Sequence, residues 1–71
     1  MKTIRQLREE RGWSQRELAR RVGVSNVAIW YWENGERVPG ANQLRAVAAT
    51  LSVSMDDIDF ARPAIQETSN D

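Results

Sequence analysis

The sequence predicts an all-α fold, a compact bundle of five short helices, and three observations predict it. Ser14 and Ser25 each stand before a segment whose apolar residues recur at helical spacing, so each can act as a helix N-cap. Gly23 lies between these segments, where a glycine in the left-handed conformation ends a helix. A chain of 71 residues has room for one small domain. We place this domain at residues 1–60 and a flexible C-terminal tail at 61–71.

The first helix is predicted to run from about Ile4 to Arg11. Thr3 and Gln6 stand three positions apart, which is the spacing of a capping box. Gly12 suits the position just after the last turn. Both ends of this helix are therefore marked by the residues around it.

The second helix begins after Ser14, and Glu17 stands where its side chain would complete a second capping box. The apolar face of this helix is formed by Leu18, Ala19 and Val22. Trp13 precedes the cap, at the position of a hydrophobic staple. We predict that its indole packs in the core against Leu18.

The third helix is predicted from Asn26 to Asn34, and its two sides differ in chemistry. At about 100° per residue, Ile29 and Trp32 point together toward the core. The opposite side carries Val27, Trp30, Tyr31 and Asn34. Two aromatic residues and a valine on a solvent-facing side require a binding partner. Because the connecting turn is short, the two helices cross steeply and form a helix-turn-helix, whose second helix can enter the major groove of DNA.

Two further helices complete the predicted bundle. The fourth runs from about Ala41 to Leu51 and has an apolar stripe at helical spacing. Ser54 can cap a short fifth helix whose first turn holds Asp56 and Asp57, where carboxylates suit the helix dipole. This placement explains the acidic cluster without a metal ion, and we predict no metal site.

The charges of the chain balance in total but are divided along its length. Residues 1–45 hold nine basic and five acidic side chains, whereas residues 46–71 hold one basic and five acidic. Salt screens charges more than about 10 Å apart, so a DNA phosphate is attracted only by the charges on the side that faces it. A basic part of the chain therefore suits a domain that binds phosphate with one side, even when the total charge is zero. Any small domain can show such an asymmetry, so the charge pattern alone leaves nucleic-acid binding open.

The chain contains neither cysteine nor histidine. Disulfides, thiol catalysis and nearly all zinc sites are therefore excluded. No glycine-rich phosphate loop or paired carboxylates indicate an enzyme, and no signal-like or long apolar segment is present. We expect a cytoplasmic protein with no catalytic residue, cofactor, membrane contact or small-molecule ligand.

A dense motif spans helices 2 and 3. It consists of Ser14-Gln15, Glu17-Leu18-Ala19, Gly23-Val24-Ser25, Ile29 and Trp32-Glu33-Asn34-Gly35. This motif resembles the Cro and repressor type of helix-turn-helix, also called the xenobiotic-response-element (XRE) family, and the likeness covers roughly residues 4–58. The resemblance implies a lambda-repressor-like DNA-binding domain, a role in transcription regulation and double-stranded DNA as the partner.

The predicted contacts with DNA are of two kinds. Base-edge contacts, as the resemblance implies, fall on Asn26, Val27 and Tyr31. Contacts with the DNA backbone are predicted for Gln15, Ser25, Trp30, Asn34 and Arg37. Because no arginine points outward from helix 3 toward guanine, we predict a contacted site richer in A·T than in G·C.

Two further features concern structure and specificity. The resemblance pairs Arg8 with Glu33, and a partly buried pair would fix the angle of helix 3; the alternative is two solvated charges. Trp30 departs from the family, which commonly has a small or polar residue there. Its indole can stack along a sugar-phosphate edge, contact a protein partner or second copy, or pack on a neighbouring loop.

Two functions remain open at this point. The first is a small repressor or controller protein that binds a palindromic operator as a homodimer. The second is an adaptor or antitoxin-like protein that holds another protein with Trp30 and Tyr31. A steep fall of affinity with salt would separate them. The dimer candidates are Met55, Ile58, Phe60 and Ile65, and for Ile58 burial in the core of the monomer is the favoured alternative.

Overall fold

The structure, a computed structural model, describes residues 1–59. In chain order the elements are β1 (Lys2–Thr3), α1 (Ile4–Glu10), α2 (Gln15–Val22), α3 (Asn26–Glu33), α4 (Ala41–Leu51), a 3₁₀ turn (Met55–Asp57) and β2 (Ile58–Asp59). The bounds of the first, third and fourth helices agree with the predicted ones to within one residue. Within the described residues the number of α-helices is corrected from five to four.

Threonine and serine caps start the first three helices, as predicted. The Thr3 hydroxyl accepts the Gln6 amide at 3.1 Å, and the Gln6 side chain accepts the Thr3 amide at 2.9 Å. The Ser14 hydroxyl accepts the Glu17 amide at 3.0 Å. The second predicted capping box is wrong, because the Glu17 carboxylate binds two arginines of its own helix and does not return to Ser14.

The turn between α2 and α3 depends on Gly23. This glycine is left-handed with φ of 92°, and its amide donates to the Ala19 carbonyl at 2.8 Å. Residues 23–25 alone separate the two helices, and Ser25 caps α3 by accepting the Ala28 amide at 3.1 Å. The predicted tight turn is therefore present.

The predicted fifth helix begins after its predicted cap but is only one 3₁₀ turn long. Met55–Asp57 forms only a 3₁₀ turn, which Ser54 caps. Ile58 then adopts an extended conformation with φ of −96° and ψ of 125°. This conformation lets β2 pair in parallel with β1, with Lys2 opposite Ile58. The pairing takes the residues that a longer helix would need.

One apolar core lies between the helices and β2. Its buried members are Ile4, Leu7, Leu18, Ala19, Ile29, Trp32, Val47, Ala48, Leu51 and Ile58. Ile29 and Trp32, predicted to face inward from helix 3, are both among them. Trp13 lies half-buried at the edge of the core, and the guanidinium of Arg21 is 4.3 Å from its ring centroid.

Ile58 lies in the core of the monomer, which is the alternative that the sequence favoured over a dimer contact. Its side chain is only 5% exposed and is already used inside the monomer. Met55, in the 3₁₀ turn, is 40% exposed and remains accessible. The other two dimer candidates, Phe60 and Ile65, and the predicted tail at 61–71 lie outside the described residues.

Candidate nucleic-acid interface

Helix α3 turns one side to the core and the opposite side to solvent. On the solvent side Val27 is 53% and Trp30 44% exposed. Asn26, at the start of the helix, and Asn34, at its C-cap, are exposed as well. Tyr31 is half-buried and packs against the core. Four of the five α3 side chains predicted to meet DNA are thus open to solvent, and the fifth is partly open.

An ion pair between Arg8 of α1 and Glu33 fixes the C-terminal end of α3. The Arg8 Nε lies 2.6 Å from Glu33 Oε2, and its Nη2 lies 3.0 Å from Oε1. The Glu33 side chain is 0% and the Arg8 side chain 11% exposed. The remaining Arg8 nitrogen, Nη1, donates to the Trp13 carbonyl at 2.8 Å. The two-point geometry sets both the distance and the angle between α1 and α3.

Two more donors reach the same carboxylate. Gln15 Nε2, at the start of α2, donates to Glu33 Oε1 at 3.0 Å. Arg5 Nε lies 3.4 Å from the same oxygen, and its side chain is half-exposed. Gln15, a predicted contact of the DNA backbone, thus has a structural bond to Glu33 that the sequence does not predict. Residue spacing carries no signal for a contact between side chains eighteen positions apart.

The ionisation of this pair follows from its surroundings. Burial by itself raises the pKa of Glu33, but hydrogen bonds from Arg8 and Gln15 and the charge of Arg8 together lower this pKa below its usual value. The hydrogen bond to Glu33 raises the pKa of Arg8 despite partial burial. Both groups are therefore charged at neutral pH.

Two aromatic residues of α3, Trp30 and Tyr31, form a stack with Arg37 of the loop that follows. The rings of Trp30 and Tyr31 meet edge to face, with centroids 5.5 Å apart and an interplanar angle of 72°. The guanidinium carbon of Arg37 lies 4.7 Å from the Tyr31 ring centroid. All three are predicted interface residues, but their contact with one another is not predicted by the sequence.

A surface groove of 360 Å³ runs between α3 and the loop after it. Ser25, Val27 and Tyr31 line it from the side of the helix, and Arg37 and Val38 line it from the loop. Two valines, Val27 and Val38, therefore border the groove, and each is about half exposed to solvent. The groove thus combines apolar side chains, a hydroxyl and a cation in one place.

The arginines of the helical region differ in how they are paired. Glu17 binds Arg20 at 2.5 Å and Arg21 at 2.6 Å on the exposed side of α2. The pKa of Glu17 is lowered, and the largest cause is the hydrogen bond from Arg20. Within residues 1–59, Arg16, Arg37 and Arg45 make no ion pair. Arg45 Nη1 donates to Asn42 Oδ1 at 3.3 Å, whereas the guanidinium groups of Arg16 and Arg37 are free to meet an external anion.

Three features that would point to other functions are absent from residues 1–59: a membrane-spanning helix, a metal-binding cluster and an unpaired buried polar side-chain atom. None of its helices is both long and apolar enough to cross a membrane. No cluster of three or more His, Cys, Asp or Glu side chains in residues 1–59 could hold a metal ion. Over the same range, every buried side-chain nitrogen and oxygen has a hydrogen-bond partner.

Two short helices joined by a left-handed glycine, the second with one side open to solvent, define a helix-turn-helix protein. Comparison with known proteins agrees with this class. The chain belongs to the helix-turn-helix family HTH_3, whose model matches residues 4–58. The XRE-type resemblance and the fold class predicted from the sequence are therefore confirmed.

Two relatives show the extent of the likeness. The solution NMR structure of the DNA-binding domain of the P22 C2 repressor superposes with a TM-score of 0.71 at 42% identity, over 75% of this chain and 70% of that chain. The HTH-type transcriptional activator BcrR of Enterococcus faecalis is 33% identical over 55 residues, or 78% of this chain. This chain spans 27% of the length of BcrR.

Proposed function

We propose that this protein is a transcriptional regulator that binds double-stranded DNA sequence-specifically and reads the major groove with α3. The observation that carries this proposal is the open side of α3, where Asn26, Val27 and Trp30 are exposed while the opposite side is locked into the core. A groove-reading helix needs both properties, because its side chains must reach base edges from a rigid scaffold. The likeness to the P22 C2 repressor domain supports it.

The base contacts are assigned by chemistry and exposure. Asn26 can form paired hydrogen bonds with adenine, since its amide offers a donor and an acceptor side by side. Val27 borders the groove together with Val38, where a thymine methyl group finds apolar partners. Tyr31 lines the same groove and can offer its hydroxyl.

The contacts with the DNA backbone use groups that are still free to donate. Gln15 donates one amide hydrogen to Glu33, which leaves the other amide hydrogen free to bind a phosphate. The Ser25 hydroxyl accepts a backbone amide, which leaves its hydrogen free. Asn34 donates once to the Trp30 carbonyl at 2.8 Å and has a second amide hydrogen. We assign Trp30 to a sugar-phosphate edge and Arg37 to a phosphate.

The proposed active form is a homodimer on a palindromic operator. Helix-turn-helix dimers bind half-sites about one helical turn apart, because each copy places its recognition helix in a successive major groove. Doubling the contact also raises affinity well above that of one small domain. Met55 is the dimer candidate that is exposed in the described residues.

The test is selection of bound duplexes from a random DNA pool by the full chain at low salt. We expect one sequence to be enriched. Fluorescence anisotropy of that duplex at several salt concentrations should then show the association constant falling as salt rises. In a log–log plot of the association constant against salt concentration, the slope should be about −0.9 per phosphate contacted. Val27→Asp places a carboxylate on the exposed side of α3 and should abolish enrichment without lowering the thermal midpoint.

Ala49→Asp is the matched control, since it adds the same charge at an exposed position of α4. This variant should enrich the same sequence as the wild type. A wild-type chain that enriches no duplex at low salt, while its circular dichroism shows a folded helical protein, contradicts the proposal.

A protein-binding adaptor is the second candidate, and the exposure of Trp30 favours it. This indole is 44% exposed and adjoins the Tyr31 ring, and exposed aromatic residues are common in protein interfaces. An antitoxin-like partner would cover the same side of α3. An apolar protein contact keeps its affinity as salt rises, whereas a DNA contact loses it steeply, so the salt series separates the two candidates.

A further inference from the structure

We propose that Tyr31 is a positioning residue, and that its ring holds the guanidinium of Arg37 in place to bind DNA. This inference rests on the proposed function and changes the role of one of its residues. At this point of the interface, the polar contact with DNA comes from Arg37 and not from the Tyr31 hydroxyl. Tyr31 and Arg37 therefore act as one unit.

The backbone of the loop ties Arg37 to Tyr31. The amides of Glu36 and Arg37 both approach the Tyr31 carbonyl, at 2.9 Å and 3.4 Å. These bonds turn the chain back over the last turn of α3. The Arg37 side chain then lies on the ring of the same tyrosine, 4.7 Å from its centroid. The backbone bonds thus hold the loop, and the contact with the ring holds the guanidinium.

The Tyr31 ring is a rigid support. It is half-buried, packs against the core, and meets the Trp30 indole in an edge-to-face arrangement at a centroid distance of 5.5 Å. A ring held in this way loses little freedom when an arginine lies over it. The side chain of Arg37 is consequently ordered before DNA binds, which lowers the entropic cost of the contact.

The donors of Arg37 remain uncommitted. Within residues 1–59 its side chain makes no ion pair and no hydrogen bond, whereas Arg8 uses its donors on Glu33 and Trp13. Stacking occupies the face of the guanidinium and leaves the N–H groups in its plane free. This arrangement suits two acceptors side by side, which DNA offers as guanine O6 and N7 or as two phosphate oxygens.

The test uses the enriched duplex, four single variants and one double variant of the full chain, with the dissociation constant as the readout. Arg37→Ala should weaken binding about tenfold or more. Tyr31→Leu keeps apolar packing but removes the flat ring, and should weaken binding several-fold. Tyr31→Phe keeps the ring without the hydroxyl and should rescue most of that loss. Lys2→Gln removes the same charge from β1 and serves as the control for net charge.

The decisive measurement is the double variant. If the ring acts only through Arg37, Tyr31→Leu should have no further effect in the Arg37→Ala background. A merely structural role of Tyr31 would instead make the two losses multiply. Thermal melts of all variants establish that each is folded at the assay temperature.

The ligand of Arg37 follows from the same variants. A salt slope smaller by about one unit in Arg37→Ala identifies a phosphate, and a lost guanine preference at one position identifies a base. Binding by the wild type together with a Tyr31→Phe loss equal to that of Tyr31→Leu overturns this inference alone. A wild type that binds no duplex overturns the proposed function, and the inference with it.

Discussion

A single carboxylate, that of Glu33, connects α3 to both helices before it. It accepts hydrogen bonds from Arg5 and Arg8 of α1 and from Gln15 of α2. Its side chain is fully buried, so its charge depends entirely on these donors. This buried carboxylate therefore helps to set the angle at which α3 presents its open side.

Replacing Glu33 by glutamine should destabilise the fold by about 3 kcal/mol, because Arg8 would be left as a nearly buried, unpaired charge. The substitution keeps size and shape, so the loss reflects charge and hydrogen bonding and not a cavity. Urea unfolding monitored by circular dichroism measures it. Glu17→Gln is the matched control, since Glu17 also binds two arginines but does so at the surface. An equal loss in both variants would contradict the role given to burial.

The stabilisation from Glu33 should also depend on pH. Its pKa is lowered in the folded protein, so its contribution is complete above the ordinary glutamate value of about 4.3 and is lost as the pH falls through the folded pKa. The difference in unfolding free energy between wild type and Glu33→Gln should therefore be largest near neutrality and shrink below about pH 4. Unfolding series in urea at several pH values measure it. A difference that stays constant from neutral to strongly acidic pH would show that the charge is not responsible.

At the scale of the elements, capping residues made the helices predictable. Thr3, Ser14 and Ser25 each cap a helix where the sequence placed a cap, since an N-cap is bonded to residues only three positions away. The strand pair was missed because two-residue strands have no periodicity, and β1 and β2 come from opposite ends of the described chain. The fifth helix is shorter than predicted because the residues after its first turn pair with β1, a long-range contact that a local helix signal does not show.

Two helix ends should respond in opposite directions to exchanges of glycine. Gly23 has φ of 92°, and an added Cβ would meet nothing within 4 Å. Gly23→Ala should therefore cost about 1 kcal/mol from backbone strain alone. Ser52 ends α4 with φ of 59°, and Ser52→Gly should relieve that strain and stabilise the fold by about 0.5 kcal/mol. Thermal and urea unfolding of both variants test this, and shifts of the same sign would contradict it.

At the scale of the whole molecule, the sequence predicted the open side of α3 better than the contacts around it. The inward and outward positions followed from helical periodicity, as Ile29 and Val27 illustrate. The stack of Arg37 on Tyr31 was missed, because it depends on the path of the loop and on side-chain conformers. Local pattern thus identifies which residues of α3 face outward, and only the folded chain reveals which side chains lie in contact.

The two described dimer candidates should separate folding from association. Ile58 is buried beside β1, so Ile58→Ala should lower the unfolding free energy by about 3 kcal/mol through the cavity it leaves. Met55 is accessible, so Met55→Glu should change stability little but place a charge in any apolar contact between copies. Urea unfolding at low protein concentration measures the first effect, and sedimentation equilibrium across a concentration series measures the second.

If the 3₁₀ turn forms the contact between copies, Met55→Glu should shift the monomer–dimer equilibrium toward monomer while the folded monomer stays intact. The same variant should then bind a single half-site duplex like the wild type but lose most of its preference for the full palindrome, because only a dimer engages two half-sites. Met55→Leu, which keeps an apolar side chain of similar size, should retain that preference. A Met55→Glu chain that dimerises like the wild type would place the interface elsewhere on the molecule.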